Sequence, residues 1–241
     1  MLRASRQPKW VVAFVVVVML AALFIRLGFW QLDRLDERRT ENAVGESRLD
    51  AAAVSLDQLL EAAGENLGPI EYRRVVVGGR FDPEHEILIR SQVHLGQAGF
   101  HVITPFVTGD GGVLVNRGWV PLALDQTPVD EASPPSGDVE IEGWVHFTQT
   151  RPALGPEDPP GTQPIFNRVD VGRLAEQVPY RVSPFYVVEV RERNDDLPVA
   201  VPLPDFSSEG PHLAYAIQWF GFAAIGLAGF FFLIRREVQS R

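Results

Sequence analysis

The residue with the most specific chemical potential is His212, which stands just before a long apolar segment near the C-terminus. In an α-helix, 3.6 residues per turn would bring five later residues onto the same face as this imidazole. They are Ala216, Trp219, Ala223, Gly226 and Phe230. Most of them are small, so a flat partner can approach the backbone closely. That partner is either another helix of the chain or a planar macrocycle, such as a haem, whose iron takes the imidazole as a ligand.

Arg26 interrupts an apolar segment near the N-terminus, close to the end that we expect at the same depth as His212. Its guanidinium could pair with anionic groups of a bound macrocycle, such as propionates. The alternative is that the long side chain simply extends to the membrane interface, as cationic side chains near helix ends usually do.

The most distinctive interior stretch is Val113–Pro121, where alternating apolar residues lead into Asn116-Arg117-Gly118-Trp119. Arg117 could make a bidentate contact with a carboxylate. Gly118 predicts a β-bulge or a close backbone approach. A purely structural interpretation is equally open, in which the segment ends a strand and Arg117 forms an internal ion pair.

Signatures of enzymes are missing from the sequence. It contains no G-x-S-x-G, G-x-x-x-x-G-K-[ST], H-E-x-x-H or G-x-G-x-x-G motif, and no two of its five histidines have the i, i+4 spacing of a helical zinc site. The lack of cysteine excludes disulfides and thiolate sites, and the net charge of −9 argues against nucleic acid as a partner. We therefore predict no catalytic residues; a hydrolase that uses some of the 31 acidic residues is the alternative.

Two segments are long and apolar enough to cross a bilayer, which requires roughly 20 residues of helix. The first is Trp10–Trp30, broken only by Arg26; no A-x-A site follows it, which favours an anchor over a cleaved signal peptide. The second, Ala214–Ile234, has no charge and is followed by two arginines, which argues against a buried core helix. We predict transmembrane helices at 10–30 and 212–234.

The charges at the two ends predict the orientation. Residues 1–9 carry three basic and no acidic residues, and residues 235–241 carry three basic and one acidic. Basic flanks stay in the cytoplasm. We therefore predict an integral, multi-pass membrane protein (of the cell membrane, if bacterial) with both terminal tails cytoplasmic and residues 31–211 extracytoplasmic.

The middle of the chain predicts a β-rich domain. Leu32–Glu41 should continue the first helix for two or three turns, and Ser55–Ala63 should be a short helix capped by Ser55. Short runs of β-branched and aromatic residues between Gly, Pro and Asp predict six strands. They are Arg73–Phe81, Glu86–Val93, Phe100–Val107, Val113–Val120, Val139–Thr148 and Phe185–Arg191.

The connections between these strands are also marked in the sequence. Asp110-Gly111-Gly112 predicts a hairpin turn, residues 170–178 a short helix, and the proline-rich residues 197–211 an extended tether. Two further proline-rich interruptions fall at 127–135 and 151–164. The predicted fold is an α+β membrane protein in which N- and C-terminal transmembrane helices flank one antiparallel β-rich extracytoplasmic domain.

Seven short segments, in order along the chain, resemble motifs of the Surf1/Shy1 family of cytochrome c oxidase assembly proteins. They are Leu27–Leu35 (which includes Trp30, Gln31 and Arg34), Glu71–Val75, Gly79–Phe81, Gly99–Pro105, Leu114–Pro121, Gly143–Val145 and His212–Phe220. Each motif alone is weak, but their order between two apolar spans is specific. The residue before the histidine is often polar in the family, whereas here it is Pro211.

This resemblance implies a role in assembly rather than a reaction. It implies that the protein assists delivery of haem a to the catalytic subunit of the oxidase, or its insertion there, with haem a synthase as a further partner. The histidine of the last motif, here His212, is the implied ligand of the haem iron, and Ala216, Trp219 and Arg26 are the expected haem contacts. A membrane scaffold that binds oxidase subunits and no haem is the alternative.

Overall fold

The computed structural model describes residues 8–109, 111–149, 158, 161–191 and 196–239. Most of the predicted N-terminal tail, the last two residues, Asp110 of the predicted hairpin turn and most of the interruption at 151–164 lie outside the described residues. The chain divides into two compact units. One contains the described residues up to Val44 and from Asp205 onward, and the other contains Gly45–Pro204.

The described residues of the first unit contain two long helices, the first of which continues past Val44 to Asp50. The helix α1 spans Pro8–Asp50, and the C-terminal helix, α4, spans His212–Gln239. Both are long and apolar enough to cross a membrane, and most of their apolar side chains are exposed to the surroundings rather than packed within the protein. Such surfaces are stable in lipid and costly in water.

The helix α1 is longer than predicted, because it continues past Glu41 to Asp50. Its polar half contains no proline and is supported by ion pairs at i, i+3 spacing, which stabilise an exposed helix. These pairs are Arg34–Glu37, Arg38–Glu41 and Asp36–Arg39. The charged residues therefore extend the helix instead of ending it after two or three turns.

The described residues of the second unit, which we call the β-unit, form a β-barrel-like domain of eight strands. They are β1 (Val54–Ser55), β2 (Arg74–Phe81), β3 (Ile87–His94), β4 (Gln97–Thr108), β5 (Gly111–Pro121), β6 (Val139–Phe147), β7 (Ile165–Phe166) and β8 (Val182–Glu189). Their order in the sheet is β1-β2-β6-β8-β5-β4-β3-β7. An additional pairing of β2 with β4 closes five of the strands into a ring.

All six predicted strands are present within a few residues of their predicted ends, and β1 and β7 are additional two-residue strands. The sheet is mainly antiparallel, as predicted, but β1–β2, β3–β7 and β5–β8 pair in parallel. The helix α2 (Leu56–Ala63) begins as predicted, because the side chain of Ser55 accepts a hydrogen bond from the Gln58 amide. The helix α3 is shorter than predicted and spans Val171–Ala175.

Alternating residues of the strands fill the interior of the β-unit. Its main apolar cluster includes Val75, Phe106, Val115, Phe185 and Val187, all fully buried. The predicted tether at 197–211 is partly held in the β-unit, because Val199 forms an antiparallel bridge with Trp119 of β5.

Candidate functional site

His212 is the first residue of α4, and its ring is held by a side chain of α1. The Nδ1 atom of His212 lies 2.9 Å from Oε1 of Gln31, which is buried on α1. An amide oxygen only accepts, so the Nδ1 of the imidazole donates this hydrogen bond and Nε2 carries the lone pair. Among the described residues, none makes a hydrogen bond to Nε2. The imidazole is thus oriented on one side and available on the other.

The start of α4 explains how the histidine is placed there. The carbonyl of Pro211 accepts the first helical hydrogen bond, from the amide of Tyr215 at 3.1 Å. Gly210 precedes it with a φ of +71°, a conformation that glycine adopts easily. The proline that departs from the family pattern is therefore compatible with a helix that begins at the histidine.

Two small residues of the face below His212, Ala216 and Ala223, pack against α1, whereas Gly226 of the same face is exposed. Ala216 and Ala223 are 1% and 4% exposed, and a Cβ atom on Gly28 of α1 would lie only 2.5 Å from the ring of Phe220. Such close approach is the usual purpose of small residues between transmembrane helices. Of the two partners that the sequence left open for this face, the structure places the other helix against it. A macrocycle would reach Ala216 only if the helices separated.

Aromatic rings complete the contact between the two helices. Trp219 stacks on Phe24, with ring centroids 5.6 Å apart, and Phe230 lies 6.3 Å from Trp10 and 5.9 Å from Phe14. Trp219, an expected haem contact, is thus engaged by an α1 side chain and half-buried.

The other predicted residues of α1 are exposed. Arg26 and Trp30 lie on the exposed surface of the helix, and Arg34 pairs with Glu37. Further along α1, the guanidinium of Arg39 donates two hydrogen bonds, of 2.8 and 3.0 Å, to the carboxylate of Glu209. The side-chain amide of Asn42 donates a hydrogen bond to the backbone carbonyl of Ser208. The hydrogen bond from Arg39 lowers the pKa of Glu209. These contacts fix the segment that leads into His212.

The segment Asn116–Trp119 belongs to the other compact unit and forms a β-bulge. The register of β4 and β5 shifts because Val102 pairs with Gly118 and Ile103 with Asn116, which leaves Arg117 unpaired in the ladder. Gly118 has a φ of +137°, and a Cβ there would lie 2.3 Å from the carbonyl oxygen of Val199. The bulge and close approach predicted from Gly118 are confirmed.

Arg117 forms an internal ion pair with Glu86. Its guanidinium lies 3.4 Å from a carboxylate oxygen, and the two side chains are 3% and 1% exposed. It also lies over the ring of Phe81. Burial lowers the pKa of Arg117, and the Glu86 carboxylate opposes that shift. The structural interpretation of this segment, with Arg117 paired inside the domain, is the one that the structure shows.

Comparison with known proteins decides the family. A family model described as the SURF1 family matches residues 18–224, which is most of the chain. The chain belongs to the SURF1 family. It is 28% identical to an uncharacterised SURF1-like protein of Mycobacterium tuberculosis, over 98% of this chain and 87% of that relative.

SURF1-like proteins of eukaryotes are similar to this chain as well. The one of Monosiga brevicollis is 30% identical over 87% of this chain and 83% of its own length. The one of Caenorhabditis elegans is 25% identical over 90% and 72%. The resemblance seen in the sequence motifs is confirmed, and the SURF1 family is known in general as one of cytochrome oxidase assembly factors.

Sequence reasoning missed Glu86, which lies at the centre of the polar network of the SURF1 β-unit. One carboxylate oxygen accepts from the amide of Val129 at 2.8 Å, and the other accepts from the Thr104 hydroxyl at 2.7 Å and faces Arg117. It precedes a run of apolar strand residues, Ile87-Leu88-Ile89, which was the available sign that this carboxylate is buried.

A second feature that sequence reasoning missed is an aromatic cluster around His146. Its ring lies 5.2–5.8 Å from those of Tyr72, Trp144 and Tyr186, and Nδ1 lies 3.2 Å from Glu71. Burial lowers the pKa of His146, and Glu71 opposes this. Among the described residues, no group of three histidine, aspartate or glutamate side chains could hold a metal ion.

Proposed function

We propose that this protein is a membrane-anchored assembly factor for haem-copper cytochrome c oxidase. It would assist the delivery of haem a to the catalytic subunit or its insertion there, with haem a synthase as a second partner. Membership of the SURF1 family supports the assembly role. The contact between His212 and Gln31 is the observation that carries the haem-handling part of the proposal.

The donor set at the start of α4 fits a haem iron. Histidine is a common axial ligand, and a ligating imidazole normally donates its second nitrogen to a fixed acceptor, which sets the tautomer and the ring orientation. Gln31 provides that acceptor, so Nε2 of His212 would be the ligating atom. The exposed guanidinium of Arg26 would pair with propionates. Haem a is cargo in this proposal, and its hydrophobic macrocycle would leave with the oxidase.

A spectrum of the purified full chain tests haem binding. The chain is produced together with haem a synthesis, and its Soret absorbance is compared with that of His212→Ala and of His85→Ala. His85 is a matched control because its ring is hydrogen-bonded to Asp82 in the β-unit. We expect haem in the wild type and in His85→Ala and a loss in His212→Ala. Equal haem content in all three would remove His212 from the proposal.

Deletion of the gene tests the assembly role separately. We expect lower amounts of haem-containing oxidase, restored by the wild-type gene and poorly by His212→Ala. Normal oxidase content and activity in the deletion strain would contradict the assembly role whatever the spectrum shows.

The second candidate function is a scaffold that holds oxidase subunits and binds no haem. The packing of Ala216 and Ala223 against α1 favours it, because the face below His212 is occupied by protein. The two candidates differ in the same spectrum. A scaffold would co-purify with the oxidase subunit and show no Soret band.

The proposed placement has both termini in the cytoplasm and the β-unit outside, which the basic flanks support. Alkaline phosphatase is active only after export, so a fusion to Arg241 should be inactive. An insertion after Ser136, an exposed loop residue, should be active. An active fusion at Arg241 and an inactive insertion after Ser136 would contradict the proposed orientation.

A further inference from the structure

The outer half of the β3–β4 hairpin projects from the β-unit. The inner residues Ile87, Leu88 and Ile89 are buried, but a bulge follows, where Ser91 has a φ of +64° and the register shifts. Beyond this bulge the strands continue to a two-residue turn, Leu95-Gly96. The described residues 90–98 are exposed or half-buried throughout.

The end of this hairpin displays apolar side chains that the core does not use. Leu95 is 91% exposed and Val93 69%. Leu122, which is 53% exposed, follows Pro121, and Pro121 pairs with Gly99 at the base of the same outer half. We use the name hairpin tip for Val93 and Leu95 at the end of the hairpin together with Leu122 at the base of its outer half.

The turn itself makes a leucine at position 95 unexpected. Leu95 and Gly96 have φ angles of +47° and +80°, as a type I′ turn requires, and the first position of such turns favours asparagine, aspartate or glycine. A leucine there gains neither a favourable backbone conformation nor burial. An exposed leucine with neither advantage, two residues from the exposed Val93, is consistent with a contact surface.

The charge around the hairpin tip differs from that of the rest of the protein. The chain has a net charge of −9, yet residues 87–109 contain no aspartate or glutamate. The hairpin carries the exposed Arg90 and the half-buried His94 instead. The first acidic residue after Leu122 is the exposed Asp125. A hairpin that contains a basic residue, no acidic residue and apolar side chains at its end matches the interface of an anionic bilayer.

From these observations we propose that the hairpin tip inserts into the lipid bilayer and is a third membrane contact of the protein, separate from the two spans. The β-unit is joined at both ends to helices that can cross a membrane, so lipid is held at a high effective concentration. A protein already attached to the membrane does not lose the translational and rotational freedom that binding from solution costs. The burial of three aliphatic side chains is then sufficient for insertion. This inference does not depend on haem binding or on the oxidase.

The absence of cysteine in the chain makes a local test direct. Single cysteines are introduced as Leu95→Cys, Leu122→Cys and the control Ser136→Cys, an exposed loop serine. Each is labelled with an environment-sensitive fluorophore in the full chain. The proteins are reconstituted into vesicles of phosphatidylethanolamine and phosphatidylglycerol, with and without brominated acyl chains. We expect blue-shifted emission and quenching by bromine at positions 95 and 122, and neither at 136.

A charged variant completes the test. Val93→Asp with Leu95→Asp, both fully compatible with exposed positions, should abolish quenching of the label at 122. A label at 95 that is as water-exposed as the one at 136 would overturn the proposal. So would equal quenching at 95 and 136, or shielding at 95 that appears only when oxidase is added, which would identify a protein partner instead.

Discussion

The two compact units differ in how completely their polar side chains are hydrogen-bonded among the described residues. In the β-unit, both oxygens of Glu86 are occupied by Val129, Thr104 and Arg117, so the carboxylate is satisfied within the domain. In the unit that contains the two long helices, His212 has a hydrogen-bond partner among the described residues at Nδ1 and none at Nε2. A group whose hydrogen bonds are completed internally stabilises a fold, whereas one that keeps a free lone pair can still accept a ligand. The Asn116–Trp119 bulge is therefore part of the structural framework of its unit, and the proposed ligand-binding role falls on His212.

The largest expected effect is on the buried ion pair. Arg117→Ala should reduce the stability of the β-unit by about 3–5 kcal/mol, because it leaves the Glu86 charge buried without its partner. The half-buried pair Arg74–Glu142, whose side chains are 36% and 39% exposed, is the control, and solvent screening should limit the cost of Arg74→Ala to about 1 kcal/mol. Hydrogen exchange resolved by mass spectrometry measures both in the full chain. If the amides of the β-unit are equally protected from exchange in the two variants, the ion pair of Arg117 does not stabilise the domain as we expect.

Acid should weaken the β-unit through His101. Burial lowers the pKa of His101 to about 4, against roughly 6.5 in an unfolded chain. The unfolded state therefore binds more protons between these values, and the stabilisation lost as pH falls from 6.5 to 4 is about 3 kcal/mol. His146, whose pKa burial also lowers, adds an effect of the same sign. Amide protection of the β-unit, measured by hydrogen exchange at several pH values, should decrease in the wild type as the pH falls from 6.5 to 4. The decrease should be smaller in His101→Leu.

Substitution of the bulge glycine should have an intermediate effect. Gly118→Ala places a Cβ against the Val199 carbonyl at a φ of +137°, which should cost about 2–3 kcal/mol. Gly78→Ala is the matched control, since a Cβ there meets nothing within 4 Å. If the amides of β5 are equally protected from hydrogen exchange in both variants, the bulge does not require glycine at position 118.

The smallest expected effect is between the helices. Gly28→Ala would crowd the Phe220 ring and should cost about 1 kcal/mol, while Gly221→Ala, with open space around it, should be neutral. Adding Phe220→Leu to Gly28→Ala should restore amide protection in α4. If amide protection in α4 does not recover in the double variant, direct packing between Gly28 and Phe220 is contradicted.

Much of this structure follows from local patterns in the sequence. Apolar alternation located all six long strands, and Ser55 marked the start of α2, because these signals depend on neighbours along the chain. Closure of the ring by β2–β4 and the parallel pairing of β5 with β8 depend on residues far apart in sequence, and no local pattern encodes them.

The candidate site shows the same limit. Periodicity identified the face below His212, but Gln31 lies 181 residues away, and only the family resemblance marked it for attention. Glu86 was placed at the start of a strand, without a role. Its partners are 18 to 43 residues further along the chain, so they could not be identified from its neighbours.

The most direct test of the account is a haem titration of Gln31→Leu against Gln218→Leu. Gln218 is an exposed glutamine of α4 and serves as the matched control. If Gln31 orients His212 as a haem ligand, its loss should weaken haem affinity about 10- to 100-fold, and Gln218→Leu should bind as the wild type does. Equal affinities in the two variants, with His212→Ala also binding normally, would contradict the assignment of His212 as the ligand.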